Sequence, residues 1–293
     1  MSWDAIIGPF AALSVAVSLW ACAPVTSHSD STTGSASAST YTLSTNEESS
    51  SVDGSGSIQG VPKQIDQVSS DNANAAVDVH KLAAGDTLSS DQIARSGGVG
   101  AFFFNESISD EVFARMEGRS FGEDCTVPRE DLRYVRVLHV DADGATHVGE
   151  LVVNRVVADE VTQIFRELYD AKYPIRKMHL VDDYGADDAA SCSDDNTSAF
   201  NYRTIAGTTT LSNHARGLAI DINTFENPYY IISTGHLWPP EAGRYLDRTL
   251  DEPYVLHVGD ACYEAFVSRG WTWGGDWPDT HDYQHFEKPS AME

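Results

Sequence analysis

The chain has 293 residues and a formal net charge of −25 at pH 7, enough length for one large domain or two small ones. That charge, with no Lys/Arg-rich run anywhere, excludes a nucleic-acid binder and a protein of anionic membrane surfaces, because both partners demand a basic face. Its bland reading is solubility.

Residues 5–22 read AIIGPFAALSVAVSLWAC, an apolar run ending at Cys22 with Pro9 inside it. A bilayer span needs about 20 apolar residues, so residues 1–22 read as an export signal. LWAC is similar to a bacterial lipoprotein signal, which implies a lipid anchor at Cys22. Trp20 and Asp4 depart from that pattern, and an ordinary cleaved signal and an uncleaved anchor are the alternatives. The expected location is the cell envelope, membrane-anchored or secreted.

Ser, Thr, Gly, Ala and Asp dominate the first hundred residues, a composition that buries too little apolar surface to offset chain entropy. Residues 23–100 therefore read as a mostly disordered linker, with a short helix near Ala73 to Leu82, and order is expected from Ala101 to the end. SISDEVFARMEG has capping residues, apolar Val112, Phe113 and Met116 at helical spacing, and Gly118 as a stop. LRYVRVLHV and THVGELVVN about the turn DADG predict a hairpin. DADG lacks the further oxygen ligands of a calcium loop.

VVADEVTQIFRELYDA places Val157, Val161, Ile164, Phe165 and Leu168 on one face and predicts an amphipathic helix on that hairpin. YPIRKMHLV predicts a strand, DDYGADDAASCSDDN a solvated loop, and DACYEAFVSRG a capped helix ending at Gly270. Cys125, Cys192 and Cys262 leave room for one disulfide in any of three pairings, plus one free thiol. Short strands and helices without a regular βαβ alternation point to an α+β domain, a small antiparallel sheet flanked by helices.

LSNHARGLAIDIN carries His214 and Asp221 seven residues apart. A helix would separate them by about 10.5 Å and a straight strand by about 23 Å, so they meet only if the chain turns between them. Gly217 supplies the turn. The strand after it sets Leu218, Ile220 and Ile222 on one face and Ala219, Asp221 and Asn223 on the other. Asp221 then wants a partner, and zinc held through His nitrogen and Asp oxygen is one solution. WPDTHDYQHFEKP offers His281, Asp282, His285 and Glu287 as further ligands. A strand beginning at Tyr283 would point Tyr283 and His285 the same way, with Asp282 in the turn before. Taken singly, His285 reads as readily as a hydrogen-bonded structural residue, and Asp221 as a cap or an arginine's partner.

The segment SNHARGLAIDIN resembles the S-x-H-x-x-G-x-A-x-D signature of the zinc D-alanyl-D-alanine carboxypeptidase family, which includes VanY-type enzymes and L-alanyl-D-glutamate endopeptidases of endolysins. DYQHFE resembles its D/E-x-x-H element, SAFNYR the segment bearing its arginine, and NPYY with GWTWGGDW points to the endolysin-like branch. The resemblance implies a hedgehog/D-Ala-D-Ala peptidase-like fold. It makes His214, Asp221 and His285 ligands of Zn2+, Asp282 the general base, and Arg203 the group for an oxyanion or a substrate carboxylate. Ser212, Tyr283 and Trp277 are candidate substrate contacts, with Trp271 and Trp273 expected in the core. HExxH and Walker motifs are absent. The implied partners are peptidoglycan stem peptides, and no protein partner is implied. The competing reading is a wall-binding module that keeps the fold without hydrolysis.

Overall fold

The structure, a computed structural model, describes residues 75–205 and 208–292. The export signal with Cys22, and the tether up to residue 74, lie outside the described residues. Among those described, no helix is long and apolar enough to cross a membrane.

The predicted hairpin is the frame. Strands β3 (Leu132–Val140) and β4 (Thr146–Asn154) pair antiparallel from Leu132↔Asn154 to Val140↔Thr146. Asp141 makes the turn, its Oδ1 accepting from the amides of Asp143 at 3.0 Å and Ala145 at 2.9 Å, so its carboxylate serves the loop. β1 (Thr87–Leu88) and β2 (Phe104–Ser107) complete a four-stranded antiparallel sheet in the order β1-β4-β3-β2.

Order therefore begins before Ala101, and the linker reading of 75–100 is corrected. Helix α1 (Ser90–Arg95) starts in a reciprocal capping box between Ser89 and Gln92. Leu88, Ile93 and Phe102 bury against Leu138 and Val148 of the hairpin. Three well-placed apolar side chains on a ready sheet suffice where average composition suggests none. The helix expected near Ala73 to Leu82 shows, among its described residues, a single 3-10 turn, Val79–Lys81.

Helix α2 (Asp110–Met116) is capped by Ser109, and α3 (Ala158–Asp170) lies against β3. Val161, Ile164, Phe165 and Leu168 of α3 are buried with Val135, Val137, Leu151 and Val153, about 1.5–3 kcal/mol for each large side chain. Leu218, Ile220, Ile222, Phe266 and Phe286 join the same cluster, so one core carries both the hairpin and the segments rich in histidine and acid.

YPIRKMHLV is not a regular strand. It makes isolated bridges, Val140↔Pro174 at the end of β3 and Lys177↔Asn196, and only its Met178 reaches the outer edge of β4, which is divided among several segments. Val148 bonds with Gly85 and Asp86, Glu150 with Met178, Val152 with Phe200, and Asn154 with Gly217. Beyond β1, each visitor gets a single bond and none a ladder, and the last two, Phe200 and Gly217, flank His214 on either side in sequence.

The acidic segment is not merely solvated either. It forms a 3-10 turn, Val181–Tyr184, and helix α4 (Asp188–Ser193) capped by Asp187. Two of its carboxylates turn inward: Asp182 accepts from the Ser120 amide and hydroxyl, both at 3.0 Å, and Asp195 from Arg176 at 2.6 Å. Helix α5 (Ala261–Val267), capped by Asp260, ends before Gly270, as predicted. All three described cysteines are free thiols.

Two further three-stranded antiparallel sheets make the α+β fold. One orders β5 (Ala219–Asp221), β10 (His285–Glu287) and β8 (Thr272–Trp273); the other orders β7 (His236–Trp238), β6 (Tyr229–Ile231) and β9 (Thr280–Asp282).

Candidate metal centre

His214 opens a 3-10 turn, His214–Arg216, whose start is held by Ser212: its Oγ accepts from the His214 amide at 3.2 Å. Gly217 closes the turn at φ +67°. A Cβ there would lie 2.5 Å from the Asn154 nitrogen, so both conformation and space demand glycine. The chain then enters β5, and the expected alternation sends Leu218, Ile220 and Ile222 into the core while Asp221 takes the other face.

On the neighbouring strand His285 stands opposite Asp221. His285 Nδ1 is 3.0 Å from Asp221 Oδ1, His214 Nε2 is 3.2 Å from Asp221 Oδ2, and the two imidazole nitrogens are 3.2 Å apart. All three residues are buried, and one ligand atom from each lies within 4.8 Å of the others.

The remaining ring nitrogens decide what faces inward. His214 Nδ1 lies 2.6 Å from the Ala199 carbonyl, which only accepts, so Nδ1 carries hydrogen and Nε2 presents a lone pair. His285 Nε2 lies 3.0 Å from Glu287 Oε2, so it donates there and Nδ1 faces the site. With His285 neutral, two imidazole lone pairs and a carboxylate point at one place, an arrangement relieved by a cation between them, whether a proton or a metal ion. Two His and one Asp with a position left for water is a donor set that zinc takes, so the residues fit the ion that the resemblance implies.

The field agrees. Burial acts to lower the proton affinity of His285, yet the Asp221 and Glu287 carboxylates outweigh it and push the pKa up to about 10. Burial likewise acts to raise Asp221, but His214 and His285 hold it well below the usual carboxylate range. The cluster draws positive charge.

Asp282 ends β9, and the two-residue turn Tyr283–Gln284 leads straight to His285. Its Oδ1 is shielded from solvent and has no hydrogen-bond partner. Burial first, then the negative charge of Asp221, raise its pKa to about 7 against the pull of His285 and His214. Gly274 makes this approach feasible: a Cβ there would come within 2.7 Å of the Asp282 carbonyl oxygen and 3.3 Å of the His285 Cβ.

Arg203 runs beside the His214 segment, its carbonyl accepting from the Ser212 amide at 3.1 Å. Its Nη2 pairs with Asp188 Oδ2 at 2.9 Å, while its Nε is buried without an acceptor. Burial pushes the Cys192 thiol up, with Asp188, Asp221 and Asp282 adding and Arg203 opposing.

The three proposed substrate contacts fare differently. Trp277 is half-buried with its ring 5.4 Å from that of His285, and so walls the site. Ser212 is buried and its hydroxyl serves the His214 turn. The expected strand from Tyr283 through His285 is corrected, because Tyr283 and Gln284 form a turn that reverses the chain before His285. The Tyr283 ring packs instead under Arg248 at 4.4 Å and against His281 at 5.3 Å and Trp273 at 5.9 Å. His281 itself bonds to the Gly275 carbonyl at 3.0 Å, away from the ligand set. Trp271 and Trp273 are core residues, as expected.

Sequence reasoning missed the supports. Glu287 holds His285, Asn213 holds Glu287 at 2.7 Å, and the Ala199 carbonyl holds His214. Asp188 steadies Arg203. Only Glu287 left a signal, since two residues after His285 on a strand is the same face.

Residues 206–288 match the model of a family described as D-alanyl-D-alanine carboxypeptidase. The match takes in His214, Asp221, Asp282 and His285 and begins after Arg203. Neither a curated protein nor a solved structure gave a match.

Proposed function

We propose that this peptidase-family domain is a zinc metallopeptidase that hydrolyses peptide bonds in peptidoglycan stem peptides, as a D,D-carboxypeptidase or an L-Ala-D-Glu-type endopeptidase. One observation carries the reading: His214 Nε2, Asp221 and His285 Nδ1 converge beside a buried carboxylate oxygen, Asp282 Oδ1, that nothing in the protein satisfies. Held by these three residues, zinc would supply Lewis acidity toward a carbonyl and would ease the ionisation of water near neutral pH.

The chain's own groups do the rest. Asp282 Oδ1 accepts a proton from the attacking water and returns it to the leaving amine. A buried carboxylate oxygen without a hydrogen-bond partner is free to take that proton and give it back. Arg203, steadied by Asp188, directs its unpartnered Nε–H at a substrate oxyanion or carboxylate. Trp277 excludes water on the His285 side and gives the substrate an apolar wall.

A wall-binding module would need neither the unsatisfied Asp282 oxygen nor the unsatisfied Arg203 nitrogen, both costly to bury, which favours hydrolysis. Export and a surface anchor at Cys22 would let a Ser/Thr/Gly-rich tether carry the domain across the wall around it.

Incubating the chain with defined muropeptides, with and without a zinc chelator, and identifying the new ends tests the proposal. Chelator-sensitive cleavage is expected. A new carboxyl end with released D-Ala assigns a carboxypeptidase, and an internal cut assigns an endopeptidase. Intact muropeptides after incubation with zinc-loaded protein would remove the hydrolytic reading.

A further inference from the structure

The two histidines that face the metal site are oriented by different means. His214 is held by a backbone carbonyl, that of Ala199. His285 is held by a side chain, Glu287, whose Oε2 accepts from His285 Nε2 at 3.0 Å and from Asn213 Nδ2 at 2.7 Å. Asn213 immediately precedes His214, and its own carbonyl accepts from the amides of Arg216 at 3.1 Å and Leu218 at 3.0 Å, so its backbone is part of the His214 turn. Glu287 lies on β10, the middle strand of its sheet, paired on both sides.

From this geometry we infer that Asn213 and Glu287 form a tie between the two histidine-bearing segments, which selects the nitrogen His285 turns to the metal and fixes the spacing of the two imidazoles. This rests on the metal-site reading above. Both are positioning residues, since neither offers an atom to the ligand cluster. Asn213 acts through Glu287: its amide takes up one lone pair of Oε2, leaves that oxygen aimed at His285, and stops the carboxylate from swinging toward solvent on its exposed side. Without the tie, the His285 ring is free to flip and present Nε2, whose lone pair lies at a different height above the strand.

The full chain, stripped of metal and titrated with zinc against a chromophoric chelator, tests the tie. Wild type should bind one zinc, an affinity that Asp221→Ala abolishes. Glu287→Ala should loosen zinc by about 10–100-fold, the range seen when a histidine ligand loses its hydrogen-bond partner. Glu287→Gln keeps an acceptor in the same place and should stay within about threefold of wild type. Asn213→Ala should loosen zinc by about tenfold in the wild-type background and add nothing in the Glu287→Ala background, because residues acting through one contact are not additive. With Co2+ in place of zinc, Glu287→Ala should shift the visible absorption bands and Glu287→Gln should not.

A purely structural role predicts the reverse, a lower thermal midpoint of the metal-free protein with unchanged zinc affinity and Co2+ spectrum. That result overturns the tie, as does an Asn213→Ala effect that persists in full beside Glu287→Ala. If wild type takes up no zinc, or Asp221→Ala leaves uptake unchanged, the metal site itself is wrong and the tie falls with it.

Discussion

Asp221 and His285 face each other across one rung of the β5–β10 pair, with Oδ1 and Nδ1 3.0 Å apart. Residues opposite in antiparallel strands have Cβ atoms about 4.5–5.5 Å apart, so strand register alone brings these two donors together. A slip of one residue would send His285 to the other face. His214 reaches the same point from a turn that Gly217 permits and the edge of β4 anchors. The site depends on backbone pairing more than on side-chain reach.

Removing one ligand should therefore empty the site without unfolding the domain. His214→Ala and Asp221→Asn are expected to lose zinc by more than about 100-fold, beyond the range for outer partners, and to lose peptidase activity with it. Metal content after dialysis and near-UV circular dichroism measure the two effects. A zinc-free but active variant would rule out the ligand assignment.

Asp282→Asn should keep zinc and lose turnover. Loss of a proton-transfer group costs typically 10²–10⁴-fold in rate, and the expected fall in kcat is of that order with bound zinc near one equivalent. Full activity in this variant would sink the assignment of the base.

Arg203→Ala should leave zinc binding unchanged, because its guanidinium pairs with Asp188 and touches no ligand. A fall in kcat/KM of about 10²–10³-fold is expected for a lost oxyanion donor. A change in KM alone would instead assign Arg203 to holding a substrate carboxylate.

His139 should make the domain acid-sensitive. Burial lowers its imidazole to about 4, opposed by its bond to the Ile175 carbonyl and reinforced by His147 and His179. In the unfolded chain it titrates near 6.5, so between pH 6.5 and 4 the unfolded state binds the extra proton. The stability linked to neutral His139 is present above pH 6.5 and lost as pH falls toward 4, about 3 kcal/mol at most. Urea midpoints from pH 7 to 4 should fall more steeply in wild type than in His139→Gln. Parallel slopes would show that His139 is not the source.

Gly217→Ala should damage fold and site together. A Cβ 2.5 Å from the Asn154 nitrogen, at φ +67°, forces the His214 turn off the edge of β4. A loss of about 1–3 kcal/mol and a lower thermal midpoint are expected, with weaker zinc binding because His214 moves relative to Asp221.

By itself the sequence determined the periodic elements and the donor types. β-rich runs about the turn DADG wrote the β3–β4 hairpin, alternation the core face of β5, helical spacing α3, and the gap between His214 and Asp221 required a turn at Gly217. Those signals are local: a face repeats every 2 or 3.6 residues wherever the core lies. Tertiary structure alone decided which segments share the edge of β4, why residues 75–100 are ordered, and that Tyr283 and Gln284 turn the chain before His285. It also brought Asn213 to Glu287 and left Asp282 Oδ1 without a partner. These are contacts between residues distant in the chain, and their energy depends on what the fold places opposite each group, a quantity that no window of neighbouring residues contains.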